Sequence, residues 1–301
     1  MHIYTGYGFC IHSEISIPEL TASSGEPDIT VCIGKISAAQ KQTADSAQHF
    51  LGYLERAGTA LIEEGRQITL EPETGADESL LRSTITGPAM SIILRQRGFL
   101  VLHASSIAIG NEAVAFIGGS GWGKSTLASA FHAQGHNILT EDVTAIKIGT
   151  SRPIVIPSFP QLRLWKEAAI SLGHDVNYLP PIEPNSQKLL YQFSHGFQQT
   201  PLPLKQIYVL AKGVEHKIDQ LSPQDAFAAL ICHTRGANLL KSPAFVTSHL
   251  HQCANLISNA ESYRFTRKPG LEELAKLVKM IEDNVVKELN IDTNTLKLNS
   301  V

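Results

Sequence analysis

Cysteine is scarce in this sequence of 301 residues, which contains only Cys10, Cys32, Cys232 and Cys253. No two of them form a C-x-x-C pair, the spacing typical of zinc sites and redox motifs. Small secreted proteins depend on dense disulfide frameworks, so four scattered cysteines in a chain of this length exclude that class. We predict four reduced, buried thiols and a soluble, cytoplasmic protein.

Long apolar runs are absent as well. No stretch reaches the roughly 18 apolar residues of a transmembrane helix. The first residues, MHIYTGYGFCIHSE, lack the basic start and the apolar segment of a signal peptide. The net charge is -3 and no dense run of Lys and Arg occurs, which excludes the usual electrostatic footprint of a nucleic-acid-binding surface. We therefore expect neither a membrane nor a nucleic acid as a partner.

The composition that remains is that of an ordinary globular protein, with 43% hydrophobic and 18% charged residues. A chain of this size buries roughly three quarters of its unfolded surface, so we expect a substantial core. The segments DITVCIGKI (Asp28–Ile36) and RQITLEP (Arg66–Pro72) contain β-branched and alternating apolar residues that predict short strands. We predict a small β-rich N-terminal region at residues 1–76 and a second region at residues 77–301.

The second region begins with a predicted helix over residues 77–97, in which Pro88 predicts a kink or a break. Two predicted strands follow, joined by Gly110-Asn111, a favourable two-residue hairpin turn. They lead into a glycine-rich loop and a short predicted helix that ends at Gly135. The next segment, HNILTEDVTAIKIG (136–149), is predicted as one strand with acidic residues in its middle.

The proline-rich segment Ser151–Leu204 predicts irregular structure with one short helix near Lys166–Leu172. After a further strand, helices are predicted around Pro223–Leu240 and Pro243–Ser258, and SYRFTR predicts a last strand. The final helix is predicted at Leu271–Leu289, followed by a frayed tail. The predicted fold class is therefore α/β, in a mixed α+β form, with a mixed β-sheet flanked by helices.

The sequence GGSGWGKST fits the phosphate-binding pattern G-x-x-x-x-G-K-[ST] and lies between a predicted strand and a predicted helix, as the pattern requires. Glycines let the backbone wrap around phosphate oxygens, successive N–H groups form an anion nest, and the helix N-terminus adds its dipole. Lys124 is expected to reach the β- and γ-phosphates, and the Ser125 hydroxyl to hold a magnesium ion. The predicted nucleotide-binding residues are Gly118, Gly119, Ser120, Gly121, Trp122, Gly123, Lys124, Ser125 and Thr126.

Two adjacent acids, Glu141 and Asp142, follow on the next predicted strand. A magnesium ion needs an oxygen ligand beyond Ser125 and the phosphates, which Asp142 can supply. A hydroxyl that accepts a phosphate needs a base within hydrogen-bond reach, which Glu141 can be. A solvated acidic pair at a strand end is the alternative. His103 ends an apolar strand beside the loop strand, where it assists the base, contacts the transferred phosphate or has a structural role.

Four segments in this order, VLHAS, GGSGWGKS, AQGH and TEDV, resemble the catalytic domain of the bacterial HPr serine kinase/phosphorylase family, in the phosphoenolpyruvate-carboxykinase-like group. The segments GFCIHSEISIPEL and FPQLRLW resemble a diverged branch of HPr-kinase-like proteins found with peptide-modification gene clusters, among them lasso-peptide tailoring kinases. This resemblance implies a P-loop kinase core of the HPr-kinase type. It also implies ATP and magnesium as cofactors.

The resemblance also implies roles for individual residues. His103 takes the place of the family's active-site histidine, and Lys124 and Ser125 match its phosphate loop. Glu141 stands where the family commonly has its first aspartate, which supports a role as catalytic base, and Asp142 where it has its second, which supports a magnesium ligand.

Three basic residues outside the phosphate loop and the acidic pair are further candidates. Arg163 and Lys188 are predicted to clamp phosphates or a peptide carboxylate, with an ordinary surface position as the alternative for each. We do not include Arg235 in the predicted site. The alternative is that Arg235 is an active-site arginine.

The sequence therefore predicts an ATP- and magnesium-dependent kinase that acts on a serine or threonine hydroxyl of a peptide or small protein, for instance a ribosomal peptide precursor. It leaves open whether the chain forms a homo-oligomer. A nucleotide-binding regulatory module without phosphate transfer is one alternative, and a kinase of a small hydroxylated metabolite is another. The sequence contains no evident base-reading motif, so it does not select ATP over GTP or ADP as donor.

Overall fold

The computed structural model describes residues 1–43, 45–46, 48–237 and 241–298, which form a mixed α/β fold with two large mixed sheets. The first sheet comes entirely from the first 72 residues: β1 (His2–Gly6), β2 (Phe9–Ser13), β3 (Thr21–Ala22), β4 (Ile29–Ile33), β5 (Asp45–Ser46), β6 (His49–Leu54), β7 (Gly58–Glu63) and β8 (Gln67–Pro72). Its order is β3-β1-β2-β4-β8-β7-β6-β5, with β4 parallel to both β2 and β8. The short strands predicted near the N-terminus are confirmed, and a six-residue helix, α1 (Ala38–Thr43), precedes β5.

A broken helix covers this first sheet. It consists of α2 (Glu78–Thr84), a π-helical turn (Ile85–Ala89) and α3 (Met90–Gln96). Pro88 lies in the π-helical turn, where its missing N–H group and its ring prevent a regular α-helix, so the predicted break is confirmed. The buried side chains of these helices share one apolar core with the first sheet. The division between residues 76 and 77 stays a prediction.

The second sheet contains the remaining strands except two: β9 (Leu100–Leu102), β10 (Ala104–Ile109), β11 (Glu112–Ile117), β12 (Ile138–Thr140), β13 (Thr144–Lys147), β14 (Ile154–Ile156), β17 (Leu202–Lys212), β18 (Lys217–Gln220) and β19 (Glu261–Arg267). The other two, β15 (Gln161–Trp165) and β16 (Lys188–Gln192), pair with each other. Strands β10 and β11 form the predicted hairpin across Gly110-Asn111, with Ile109 opposite Glu112. Strand β17 is parallel to β11 and to β19, so their carboxyl ends meet at one edge.

Helices cover both faces of the second sheet: α4 (Lys124–Ala133), α5 (Lys166–Ser171), α6 (Pro223–Cys232), α7 (Pro243–Asn259) and α8 (Leu274–Leu298). Strand β11 shows how the two faces are filled. Phe116 packs with α4 and α8, and its neighbours Ala115 and Ile117 face the core that includes α7. Because adjacent strand residues point to opposite faces, both sides of β11 are buried. Among the described residues, no helix combines the length and the apolarity needed to cross a bilayer. The prediction of four buried thiols was wrong for three of them: all four cysteines are free, but only Cys253 is buried, whereas Cys10 and Cys32 are partly exposed and Cys232 is exposed.

Three secondary-structure predictions were wrong. The segment Ser151–Leu204 contains β14, β15 and β16 as well as the predicted helix, because strands of three to five residues between prolines show little periodicity. The helix predicted to reach Leu240 ends at Cys232, and residues 238–240 lie outside the described part. The final helix continues to Leu298, since no Gly or Pro follows Gly270 to end it.

The predicted strand over residues 136–149 was also wrong, and its break shapes the site. It is divided into β12 and β13 by a tight turn in which the Val143 N–H donates to the Glu141 carbonyl at 2.7 Å. The central residue, Asp142, has a φ of 65°, in the left-handed region that costs a non-glycine residue free energy. Such strain persists where the surrounding structure enforces it, and it directs attention to Asp142.

Candidate functional site

The loop Gly118–Thr126 lies where the carboxyl end of β11 meets the start of α4. Gly121 and Gly123 have φ angles of 72° and 81°, which a left-handed turn requires and which glycine adopts without strain. The sequence pattern and the strand–loop–helix geometry therefore agree. The loop has the form of an anion-binding nest in front of a helix N-terminus.

The Lys124 ammonium group is held inside the loop. Its Nζ donates to the carbonyl oxygens of Gly118 at 2.8 Å and Gly119 at 3.3 Å. Burial lowers the pKa of Lys124 to about 8, against the raising effect of the nearby acids Asp142 and Glu141. The ammonium is thus still charged at neutral pH but poorly compensated, which favours the binding of an anion beside it.

Glu141 is the carboxylate that contacts the loop. The Ser125 hydroxyl donates to Glu141 Oε1 at 2.6 Å. Glu141 Oε2 is buried and has no hydrogen-bond partner among the described residues. Burial, followed by the charge of Asp142, raises the pKa of Glu141. A buried carboxylate that lacks a full set of donors is an environment that a cation would stabilise.

Asp142 lies among cations, one residue further along. Its Oδ1 is 3.3 Å from His103 Nε2 and accepts a hydrogen bond from Arg235 Nη2, and its Oδ2 is 3.5 Å from Arg163 Nη1. Burial alone would raise the pKa of Asp142, but the charges of Arg235 and Arg163 outweigh it and hold that pKa below its ordinary value. Asp142 is therefore ionised at neutral pH.

Strand pairing explains why His103 and Asp142 meet. The chain passes from β9 to β10 at His103, and from β12 to β13 at the acidic turn. Strand β9 pairs with β13, whereas β10 pairs with β12, so both chain segments change partner at the same place. Burial, and then the charge of Arg235, lowers the pKa of His103 to about 4, so its imidazole is neutral at pH 7. The sequence-based roles paired His103 with Glu141, and the structure places it against Asp142.

The ribbon of β15 and β16 brings the two predicted clamp residues to the same place. Arg163 Nη2 donates to Thr86 Oγ1 at 3.2 Å, in addition to its contact with Asp142. Lys188 Nζ lies 5.5 Å from the centre of the Trp165 ring. Lys188 and Trp165 are paired with each other in the two-stranded ribbon. Together these elements enclose a pocket whose lining includes most of the predicted site: His103, Ser120, Gly121, Gly123, Lys124, Ser125, Thr126, Glu141, Asp142, Arg163, Trp165, Ile182 and Lys188.

Gly118, Gly119 and Trp122, also predicted to bind the nucleotide, lie in the loop outside this lining. The Trp122 ring packs on Gly119, where an added Cβ atom would lie 3.0 Å from the indole Nε1. Arg267, at the end of β19, donates from Nη2 to the Trp122 carbonyl. The parallel pairing of β11, β17 and β19 brings this arginine to the loop edge, a contact that the sequence prediction missed.

Arg235 and Tyr7 were also missed as parts of the site. Arg235 is positioned by its own N–H group, which donates to the Val101 carbonyl at 2.9 Å and so fixes it beside β9. The Tyr7 hydroxyl is buried and donates to the Val143 carbonyl at 3.1 Å, at the end of the acidic turn. The motif TRG could have identified Arg235 as a site residue from the sequence, whereas no local sequence pattern identifies Tyr7.

Replacing Gly123 by Ala should lower stability more than replacing Gly121. Both positions are left-handed, which costs a non-glycine residue about 1–2 kcal/mol. An added Cβ at Gly123 would lie 2.1 Å from Arg267 Nη2, whereas at Gly121 it meets no described atom within 4 Å. We expect a larger decrease in Tm for G123A than for G121A, and equal decreases when Arg267→Ala is added to both. Equal decreases in the presence of Arg267 would contradict the contact.

Stability at acid pH should depend on His249. Its pKa is lowered to about 4 by burial and then by the charge of Arg95, whereas in the unfolded chain it returns to the ordinary 6.5. The unfolded state therefore binds more protons in this window, and the stability contributed by His249 is complete above pH 6.5 and decreases as the pH falls toward 4. Urea unfolding should show that H249Q loses less stability than the wild type between these pH values. A replacement of the exposed His2 by Gln should behave like the wild type.

No protein-family model matches the chain, and no curated protein matches it. Among solved structures, the HPr(Ser) kinase/phosphatase from Coxiella burnetii is similar, at 13% sequence identity and a TM-score of 0.36. The similarity covers 65% of this chain and 96% of that chain. Because this similarity is weak, the function proposed below rests on the geometry of the site.

Proposed function

We propose that the chain is a nucleotide-dependent kinase that binds ATP and magnesium at the Gly118–Thr126 loop and transfers the γ-phosphate to a hydroxyl group. The observation that carries this proposal is the arrangement of two adjacent carboxylates beside the loop. Glu141 contacts Ser125, and Asp142 is held by His103, Arg163 and Arg235. A site that only binds a phosphate has no need for a second carboxylate, Asp142, held in this way.

The residues around Ser125 fit a magnesium ion. Magnesium binds through one or two protein oxygens together with phosphate oxygens and water. Ser125 Oγ and the unpartnered Oε2 of the buried Glu141 offer such oxygens, and a divalent cation would restore the ionised form of Glu141. We therefore assign the magnesium site to Ser125 and Glu141. The sequence suggested Glu141 as the base and Asp142 as the magnesium ligand, and we propose the reverse. When bound, the metal would neutralise charge on the transferred phosphate.

Asp142 is then the group that orients the acceptor hydroxyl. Phosphoryl transfer depends mainly on positioning and on charge neutralisation, so an ionised carboxylate that accepts a hydrogen bond from the hydroxyl is sufficient. The neutral His103 fixes Asp142 from one side, and Arg163 and Arg235 fix it from the others. Lys124 and the loop amides hold the β- and γ-phosphates.

The nucleoside is assigned to a neighbouring cavity of about 280 Å³. It shares Gly121, Gly123, Thr126 and Trp165 with the phosphate pocket, so one ligand can occupy both. The rest of its lining is basic and apolar, including Arg267, apart from one acidic residue, Glu167. These groups do not select adenine over guanine by themselves, and ATP is proposed as the common donor.

The acceptor is proposed to be a serine or threonine hydroxyl of a peptide or small protein. Trp165 is 42% exposed at the pocket, and it lies beside Lys188, so an aromatic and a basic side chain are available there for an extended chain. Exposed aromatic residues with a nearby cation are typical of peptide-binding surfaces. A ribosomal peptide precursor is one such acceptor, and assembly into a homo-oligomer stays a prediction.

Intact-mass analysis of candidate peptides after incubation with ATP and magnesium tests this proposal. We expect a gain of one phosphate on a hydroxyl-containing peptide, and no gain when each hydroxyl residue is replaced by Ala. Phosphate gain by a small hydroxylated molecule with no peptide present would identify a metabolite kinase instead.

A nucleotide-binding module without transfer is the second candidate. The low pKa of Asp142, set by two arginines, favours it, because such a carboxylate is a weak proton acceptor. Calorimetry would then show nucleotide binding, and no phosphate transfer to any peptide or metabolite would be detected.

A further inference from the structure

Arg95 on α3 is a buried cation that has no counter-ion among the described residues. Only 4% of the residue is exposed, and its Nε and Nη1 atoms are buried with no hydrogen-bond partner among the described residues. A buried guanidinium group without an anion or a full set of acceptors is among the costliest arrangements in a folded protein. The fold therefore retains a charge at this position that its own described residues do not satisfy.

The neighbouring ionisable groups do not compensate this charge. Cys253 and His249 on α7 are the buried groups beside Arg95. Burial raises the pKa of Cys253 to about 12, so the thiol is neutral, and His249 with its pKa of about 4 is neutral at pH 7 too. Desolvation by burial lowers the pKa of Arg95 itself to about 10.

A cavity of about 280 Å³ opens beside this guanidinium group, between α3 and α7. Its lining includes Arg95, Phe99, Phe245, Ser248 and Gln252, and no acidic side chain of the described residues belongs to it. The side-chain amides of Gln96 and Gln252 in the cavity wall already donate to the carbonyl groups of Ile62 and Gly98, and the two aromatic rings offer apolar contact. Nothing in this lining would repel a negatively charged ligand.

The N-terminus of α7 adds to the positive potential of the cavity. This helix has 17 residues and begins at Pro243, so Ala244 and Phe245 belong to its first turn and line the cavity. Its N-cap, Ser242, accepts a hydrogen bond from the Phe245 N–H. The dipole of a helix favours negative charge near its first turn. The helix start and Arg95 therefore line the same cavity.

We propose that this cavity binds a small oxyanion, a carboxylate or a phosphate group, which forms an ion pair with Arg95. A guanidinium group forms charge-assisted hydrogen bonds with the oxygens of either anion. The rings of Phe99 and Phe245 would contact the apolar part of the molecule that carries the anion.

The Arg95 cavity does not include residues of the phosphate loop. It does lie close to the segment that contacts Asp142 in the proposed active site. Gly236 packs on Arg95, since a Cβ atom added at Gly236 would lie 2.9 Å from Arg95 Cδ. The residue before it, Arg235, binds Asp142. An anion at Arg95 would thus lie behind the segment that holds Asp142.

Thermal unfolding in a buffer free of oxyanions, with and without millimolar phosphate or acetate, tests the proposal. The experiment uses the Lys124→Ala protein to weaken phosphate binding at the loop, and only the part of the response that depends on Arg95 is assigned to this cavity. We expect one of the two anions to raise the Tm by about 2–4 °C. A stronger response to phosphate would identify a phosphate-bearing ligand, and a stronger response to acetate would identify a carboxylate.

Adding Arg95→Met should abolish this response and raise the Tm in the oxyanion-free buffer, because it removes the unpaired charge and largely keeps the volume. The exposed Arg66→Met is the matched control and should leave the response unchanged. Ser248→Asp places a carboxylate at the exposed rim of the cavity, and it should raise the Tm and remove the anion response without disturbing the core.

Three outcomes would overturn the proposal. The first is a protein whose Tm depends on neither anion. The second is an anion response that survives in both Arg95→Met and Ser248→Asp. The third is an Arg95→Met protein that is folded but less stable than its parent in oxyanion-free buffer. Because the loop lysine is absent throughout, none of these outcomes depends on whether the chain transfers phosphate.

Discussion

Replacement of Lys124 by Ala should reduce phosphate transfer by about 10³-fold or more while the protein stays folded. The ammonium group is the cation nearest the β- and γ-phosphates in the proposed complex, and such a group contributes mainly to the transition state, where charge develops on the phosphate. Its present partners are the loop carbonyls of Gly118 and Gly119. Since burial already disfavours its charge, its removal should change the Tm little.

The measurement is peptide phosphorylation followed by intact mass, together with thermal unfolding of the same samples. Lys147→Ala is the matched control, because Lys147 is an exposed lysine at the end of β13. It should keep full activity. Activity of K124A within tenfold of the wild type would show that the loop does not hold the transferred phosphate.

The two adjacent carboxylates should respond differently to loss of their charge. Asp142→Asn should keep nucleotide affinity within a few-fold and lower kcat by about 10²–10⁴-fold, because the carboxylate that orients the acceptor is lost. Glu141→Gln should weaken magnesium-dependent nucleotide binding by roughly 10–100-fold, since Glu141 is the acid in contact with Ser125. Calorimetry for binding and a turnover assay for kcat separate the two effects.

This pair of variants also decides between the two allocations of roles. The sequence-based allocation made Glu141 the base and Asp142 the magnesium ligand, so it expects the opposite pattern. If E141Q loses turnover and keeps its affinity, the contact of Ser125 with Glu141 does not mark the metal site. If both variants keep wild-type nucleotide affinity and the wild type shows no transfer, the chain is a binding module.

The pH dependence of binding provides a further check on Glu141. Because its pKa is raised in the protein without metal, magnesium binding should release a proton in the pH range between its ordinary and its raised value. Apparent magnesium affinity in the presence of nucleotide should therefore decrease as the pH falls through that range. In E141Q this dependence should disappear.

Local signals in the sequence predicted the parts of the fold that local structure controls. The hairpin at Gly110-Asn111, the break at Pro88 and the strand–loop–helix unit around Lys124 depend on residues within a few positions of one another. Glycine and proline have strong backbone preferences, so their effects could be predicted without knowledge of the tertiary contacts.

Contacts between distant segments could not be predicted in this way. Arg235 and Asp142 are separated by 93 residues, and Tyr7 and Val143 by 136 residues. Their contacts depend on the pairing of β9 with β13 and on the docking of the first sheet, which no periodicity of the sequence specifies. The left-handed turn at Asp142 was missed for the same reason, since a Glu-Asp-Val sequence has no intrinsic preference for that turn.

The first sheet and the broken helix share one core, which limits the parts of this protein that can be grafted into another protein. Tyr7 reaches the acidic turn through its hydroxyl, and Val143 belongs to the same apolar core as the strands of the first sheet. The N-terminal strands therefore cannot be replaced by the equivalent part of another protein without loss of contacts to the acidic turn. A graft that carries only the loop and the two acids would leave the Asp142 turn without its support, so the smallest transferable unit includes the first sheet.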